Sequence, residues 1–364
     1  MSDIAIPGSM AELTSEWLRE ALKQAGGTQH AAVTGFAPAA MDQSAGVVGS
    51  IGKIDLSYAE PVSGQPDALV VKLAASDPAV AAFSARLGLY STEVGYYRHL
   101  AGGCPALPPQ CFYVDISKRG DRFILLLEAL DGSDFGKWES GCTLSEAQLV
   151  VIALAKLHAR HWGAEHLMGY RWLARPPVLA RRIAGTVARG LPLCREVFPG
   201  QLPQSVQEQV DRVAEGFQGL MTEFSSQHLT LNHGDCHLNN MIVGSNSVRF
   251  YDWQTCSINN FAYDLAYFLN GNLADGVRAQ HIEGLLDLYH TVLTSEGDAR
   301  ISRADVMEQY LTGSGLVAVI GAGIAGAFLS ATPKGQRIAS VLLSRISAAA
   351  METDALARLV QRVS

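Results

Sequence analysis

Residues 231 to 269 read LNHGDCHLNNMIVGSNSVRFYDWQTCSINNFAYDLAYFL, and this stretch restricts the chain more than any other. His233-Gly234-Asp235 is followed five residues on by Asn240, and then by Asp252 beyond two short apolar runs. One carboxylate can accept the proton of an attacking hydroxyl. An amide oxygen and a second carboxylate are hard donors of the kind Mg²⁺ prefers, with phosphate oxygens completing its shell. Together they are what metal-assisted phosphoryl transfer requires. To meet, they need a chain that folds back on itself. Residues 229–232 read as a short strand, and 241–243 and 248–251 as two more. Gly244-Ser245-Asn246-Ser247 between them is turn chemistry. A hairpin there returns Asp252 toward Asp235 and Asn240.

HGDxxxxN, a hairpin and then D-aromatic-Q resembles the aminoglycoside phosphotransferase and choline kinase group of protein-kinase-like enzymes. The D-x-Q ending and the later DLAYFL are most similar to the ecdysteroid kinase-like branch. The resemblance implies Asp235 as catalytic base, Asn240 and Asp252 as metal ligands, and Asp264 as a buried aspartate bracing the catalytic loop. It also implies ATP and Mg²⁺ as cofactors. Trp253-Gln254 stands where protein kinases have Phe-Gly, so the switch built on that dipeptide does not carry over. Cys236 and Asn239 stand where many relatives have other residues.

Upstream, residues 68–73 form an apolar strand pattern with one lysine, Lys72, inside it. A helical pattern follows through Phe83, Leu87, Tyr90, Val94 and Tyr97, with Glu93 within it. A strand lysine paired with a helix glutamate is the arrangement that holds the α- and β-phosphates in kinases. Residues 44–52 are rich in glycine and small side chains. Gly46 and Gly49 suit either a loop whose backbone N–H groups approach phosphates or a plain glycine-rich hairpin. Residues 123–130 read as a buried strand. In the family it runs into the linker whose backbone binds adenine, which places Glu128, Ala129 and Leu130 there by position.

The remaining chain is read more simply. Residues 13–27 form a helix capped by Thr14 or Ser15, and 32–73 read as strands. Thr143-Leu144-Ser145-Glu146 is a capping box opening a helix to about Trp162. His158, His161 and His166 lack the glutamate or third ligand that would make a metal motif, and they read as structural. Asp134-Phe135-Gly136 precedes the HGD loop, the wrong order for a kinase metal motif. Residues 166–228 are helical patterns with breaks expected at Pro176–Pro177, Pro192, Pro199 and Pro203, and the chain after Leu269 is again helical.

Val317 to Gly326 spells VAVIGAGIAG, which matches a dinucleotide fingerprint. That fingerprint needs a helix and then a second strand ending in Asp or Glu about twenty residues on. The alanine-rich helical pattern after Gly326 supplies no such strand. The run is also short for a membrane span, so a close-packed buried helix is expected. A flavin or NAD oxidoreductase is the alternative this segment raises.

Composition narrows the classes. At 364 residues there is room for two lobes, and 48% hydrophobic with 17% charged residues describes a globular chain. A net charge of −7 argues against nucleic acid as the main partner. Six scattered cysteines without CxxC read as reduced thiols in a cytoplasm. The expected fold class is α+β: a protein-kinase-like two-lobe fold, with a β-rich N-lobe over 1–130 and a mostly helical C-lobe over 131–364. The expected reaction is γ-phosphoryl transfer from ATP to a hydroxyl of a small-molecule acceptor, with no nucleic-acid partner and no membrane span. The alternative within the same fold is a catalytically inactive nucleotide-binding protein.

Overall fold

The computed structural model describes residues 4–26, 33–39, 49–60, 64–105, 107–130, 138–274 and 276–363. Gly46 and Asp134-Phe135-Gly136 lie outside the described residues. The chain divides into two compact units. One is Met1–Asp134 with Arg249–Thr255, and the other is Phe135–Val248 with Cys256–Ser364.

The first unit opens with helix α1 (Ser15–Gly26), whose first turn is capped by Thr14 Oγ1 accepting from the Trp17 N–H. Strands β1 (Val33–Ala39), β2 (Gly49–Tyr58) and β3 (Ala68–Ala74) follow. Then come helices α2 (Pro78–Leu87) and α3 (Leu89–His99) and strands β4 (Cys111–Ile116) and β5 (Phe123–Glu128). The strands form one antiparallel sheet in the order β1-β2-β3-β5-β4.

Side chains alternate across a strand, and β3 shows the consequence. Leu69, Val71 and Leu73 join Leu18, Ala21 and Leu22 of α1 in one apolar core. Lys72 therefore points to the opposite face, between Ile51 of β2 and Leu125 of β5 in register. β5 is apolar on both faces. Ile124 and Leu126 enter the α1 core, while Phe123 stacks on Tyr90 of α3 at 4.4 Å. The single helix expected through Phe83 to Tyr97 is two helices. Gly88 takes φ 76°, a left-handed value open to glycine, and both closes α2 and starts α3.

The second unit is mostly helical. Helix α4 (Leu144–Arg160) starts at a complete capping box between Thr143 and Glu146. Helices α5 (Pro176–Val197) and α6 (Gln204–Phe224) follow, then strands β6 (Leu229–Asn232), β7 (Met241–Val243) and β9 (Ser257–Asn260), with β8 (Val248–Phe250), whose last two residues belong to the first unit, between β7 and β9 in the chain. The turn between β7 and β8 is closed by the Gly244 N–H donating to the Ser247 carbonyl. β6 and β9 pair antiparallel, with Leu229 opposite Asn260 and Asn232 opposite Ser257. Helices α7 (Ala262–Gly271), α8 (Val277–Ser295), α9 (Arg303–Ile324), α10 (Pro333–Thr353) and α11 (Ala355–Val363) complete the unit. The break expected at Pro192 does not occur. α5 runs through it, with Leu191 and Cys194 buried on either side, so packing outweighs the lost backbone hydrogen bond.

Gly321 to Gly326 lie within one continuous helix and its π-helical extension, with no strand before them. A Cβ at Gly323 would sit 2.9 Å from Val187 Cα, and one at Gly326 would sit 1.9 Å from the Gly190 carbonyl. These glycines let α9 and α5 touch backbone to backbone. The strand–turn–helix that a dinucleotide fingerprint requires is not formed here. Arg303–Leu329 is long and apolar enough to cross a membrane by length and composition, but 72% of its apolar window is buried inside the unit.

Candidate active site

In the first unit, Lys72 is buried and clamped between two carboxylates. Its Nζ lies 2.8 Å from Glu93 Oε1 and 2.8 Å from Asp252 Oδ1. The sheet turns Lys72 away from the α1 core, and α3 lies on that side with Glu93 only 1% exposed. Burial opposes the lysine charge, but Asp252 and Glu93 outweigh it, and the Lys72 pKa is raised. Burial likewise raises the pKa of Glu93, against the pull of the lysine. One cation facing two carboxylates leaves net negative charge beside Asp252, which favours a divalent cation there.

Asp252 sits at φ 62°, a left-handed conformation that aspartate adopts more readily than most residues. The residues around it are fixed to the same unit. Trp253 stacks on Tyr96 of α3 at 3.9 Å, nearly parallel, and its backbone N–H donates to Glu93. Gly49 pairs with Ala74, and a Cβ there would meet the Leu73 carbonyl at 2.9 Å. At Gly49 the glycine thus serves strand-to-strand approach. Glu128 ends β5, and Ala129 and Leu130 follow it outside any strand.

In the second unit, Asp235 lies in the loop between β6 and a short 3₁₀ turn, Leu238–Asn240. Asn240 Nδ2 donates to Asp235 Oδ2 and to the Asp235 carbonyl, both at 3.0 Å. The Tyr267 hydroxyl donates to Asp235 Oδ1 at 2.9 Å, and His237 Nε2 lies 3.3 Å from Oδ2. Burial works against the Asp235 charge, but His237, the Tyr267 hydroxyl and His233 together hold its carboxyl well below the usual range. Asp235 is therefore a carboxylate at any physiological pH. Asn240 uses its amide nitrogen on Asp235, which turns its carbonyl oxygen into the atom to offer a cation.

The loop is held from below. Buried Asp264 of α7 accepts from the His233 N–H at 2.6 Å and the Gly234 N–H at 2.9 Å. Asn232 Oδ1 in turn accepts from the Asp264 N–H. Asn272 caps the other side, accepting from the Leu238 N–H and donating to the Cys236 carbonyl. His158 donates to or accepts from Tyr289 at 2.7 Å and lies 3.5 Å from Asp264, while His161 pairs with His166 at 2.9 Å. No cluster of three or more His, Cys, Asp or Glu side chains that could hold a metal is found among the described residues. Asn240 in this unit and Asp252 in the first each carry an oxygen of the hard kind that Mg²⁺ takes.

Two contacts of Asp235 escaped the sequence reading. His237 stands two residues past Asp235. Tyr267 stands three past Asp264, on the same face of α7. A tyrosine at that spacing in an otherwise apolar helix, DLAYFL, was the available signal.

Comparison with known proteins gives the same fold. A choline kinase from Cryptosporidium parvum superposes with a TM-score of 0.53 at 12% identity, over 90% of this chain and 88% of its own. A putative aminoglycoside phosphotransferase from Ralstonia eutropha gives 0.57 at 14%, over 94% and 97%. Aminoglycoside 2′-phosphotransferase-IIIa in its GDP complex gives 0.54 at 14%, over 87% and 93%. No curated protein sequence matches the chain. The fold is α+β and protein-kinase-like, with a five-stranded antiparallel sheet in its first unit and helices through most of the second. The profile of the ecdysteroid kinase-like family matches residues 47–298, well over half of the chain, and the protein belongs to that family.

Proposed function

We propose that the protein is an ATP-dependent phosphotransferase that moves a γ-phosphoryl group to a hydroxyl of a small molecule. The observation that carries this reading is Lys72 held between Glu93 and Asp252. A buried lysine with two carboxylate partners is fixed in place to meet phosphate oxygens, and the extra negative charge at Asp252 suits a cation. Family membership supports it, as do kinase relatives of the same fold.

In this reading Lys72 binds the α- and β-phosphates and Glu93 positions it. Asp235 would orient the acceptor hydroxyl and take its proton as the new P–O bond forms and the bond from phosphorus to the departing ADP breaks. Asn240 and Asp252 would each offer an oxygen to Mg²⁺, which would supply positive charge toward the nucleotide phosphates. By the family resemblance, the chain at Gly46 and Gly49 would approach phosphate through its backbone, and the backbone of Glu128 to Leu130 would meet the adenine. Residues 1–130 serve as the nucleotide lobe and 131–364 as the catalytic and acceptor lobe. Six cysteines without a disulfide suit a reducing compartment such as the cytoplasm.

The low pKa of Asp235 makes it a weak base in the ground state. Calorimetry with ATP in the presence and absence of Mg²⁺ is the first test, followed by ADP release over a panel of alcohols, amino alcohols, sterols and aminoglycosides. Absence of Mg²⁺-dependent nucleotide binding overturns the reading.

A further inference from the structure

The proposed cation ligand Asp252 belongs to a seven-residue segment, Arg249–Thr255, that is bound into the first unit at two points besides the Lys72–Asp252 pair itself. The second point is Trp253, stacked on Tyr96 and hydrogen-bonded to Glu93. The first is Arg249. Its Nη1 and Nη2 donate to Glu128 Oε1 and Oε2 at 2.9 and 2.5 Å, a two-pronged fork, and its Nε donates to the Leu107 carbonyl at 3.3 Å. Glu128 Oε2 also accepts from the Gln110 N–H at 3.1 Å. One guanidinium thus gathers the loop at Leu107, the end of β5 and the start of the Asp252 segment.

Forked arginine–carboxylate pairs carry geometry as well as energy, because two parallel bonds fix the relative orientation of both planes. Here the fork lies three residues before Asp252, at most about 10 Å of extended chain. Asp252 itself adopts a left-handed conformation that a free segment would leave. The two anchors bracket it.

We propose that Arg249 and Glu128 are positioning residues for Asp252. By holding the segment's first residue against the end of β5, they fix where the Asp252 carboxylate can present itself to a cation. This rests on the reading of Asp252 as a Mg²⁺ ligand. It also gives the Glu128 side chain a task separate from any backbone contact with nucleotide. Trp253-Gln254 then serves as a fixed anchor, where Phe-Gly in protein kinases is a switch.

The test uses full-length Arg249→Lys, Arg249→Gln, Glu128→Gln and the Glu128→Gln/Arg249→Gln double variant, with two readouts. Without nucleotide, hydrogen exchange across residues 250–255 should quicken about tenfold in Arg249→Gln and Glu128→Gln, while α3 keeps its protection. The double variant should be no worse than either single, since both remove the same fork. Arg249→Lys keeps the charge, loses the fork and should fall between. With ATP, the Mg²⁺ concentration giving half-maximal binding should rise about tenfold in Arg249→Gln, while the ATP binding of that variant in chelator stays within about twofold. Unchanged local exchange overturns the proposal. So does a uniform loss of protection across the whole first unit in Arg249→Lys, which would make the pair a general stabiliser. If the native protein shows no Mg²⁺-dependent ATP binding, the phosphotransferase reading falls, and the exchange result by itself still decides whether the fork holds the segment.

Discussion

The phenolic hydroxyl of Tyr267 donates to Asp235 Oδ1 at 2.9 Å. The other carboxylate oxygen accepts from Asn240 and faces His237. The carboxylate is thereby fixed in one orientation, and Oδ1 keeps a second lone pair for an acceptor hydroxyl. Tyr267→Phe removes one donor and keeps the ring. Turnover should fall about tenfold, in line with the loss of one hydrogen bond to a charged group. Calorimetric affinity for Mg²⁺·ATP should stay within about twofold, because the hydroxyl touches the base and no proposed phosphate ligand. A large loss of ATP affinity with turnover unchanged would remove Tyr267 from this role.

Asp235 and Asp252 should fail in different ways when their charges are removed. Asp235→Asn deletes the proposed proton acceptor, and general-base help is worth about 10²–10⁴-fold, so turnover should drop by that range with ATP affinity nearly unchanged. Asp252→Asn keeps a residue type that tolerates a left-handed backbone but removes a charge from the cation site. Both ATP affinity and turnover should then fall, with partial recovery at high Mg²⁺. Calorimetry on ATP needs no knowledge of the acceptor. If Asp235→Asn weakens Mg²⁺·ATP binding more than Asp252→Asn does, the two roles are reversed.

The contact between α5 and α9 should be intolerant of any side chain. A Cβ at Gly190 would lie 1.8 Å from the Gly323 carbonyl oxygen. Backbone cannot yield as a flexible side chain does, so Gly190→Ala should cost at least the ~1–3 kcal/mol typical of overpacking. A urea titration showing an unchanged midpoint would contradict the packing described here. Gly219→Ala is the control: a Cβ there meets nothing within 4 Å, and helix propensity favours alanine.

Acid should destabilise the second unit partly through His161. Burial first, then the neighbouring charges of His166, Arg160 and His158, push its pKa down from 6.5 to about 3. The folded state therefore binds fewer protons than the unfolded state between those values. The sign follows directly: stability is complete above 6.5 and declines as pH falls toward 3. His161→Asn removes this titration, so its stability should depend less steeply on pH than that of the native protein between 6.5 and about 4, read from urea midpoints. An equal or steeper dependence would place the titrating group elsewhere.

Much of the site was legible because its chemistry is local in sequence. Asp235 and Asn240 stand five residues apart, near enough for a single turn to join them, and Asp264 was implied by the family resemblance of the DLAYFL string. Lys72 was legible for a related reason. A lysine inside an alternating strand must lie opposite the core residues on either side of it. Val71 and Leu73 point to the core, and Lys72 points away from it. The GAGIAG run was readable as helix because no second strand follows.

Other features depended on contacts that sequence spacing does not encode. Periodicity could not show that Gly88 breaks one expected helix into two, because the pattern of apolar positions continues in phase across it. Pro192 stays inside α5 because the helix is packed against α9, a neighbour more than a hundred residues away in the chain. Tyr267 became a partner of Asp235 only once α7 was laid beside the loop after β6, and His237 only once that loop turned back on itself. The Arg249–Glu128 fork joins residues 121 positions apart. Local propensity sets which segments become helix or strand, and it does so from neighbours a few residues away. Which side chains then meet is decided by burial of the apolar faces, and that is a property of the folded chain as a whole.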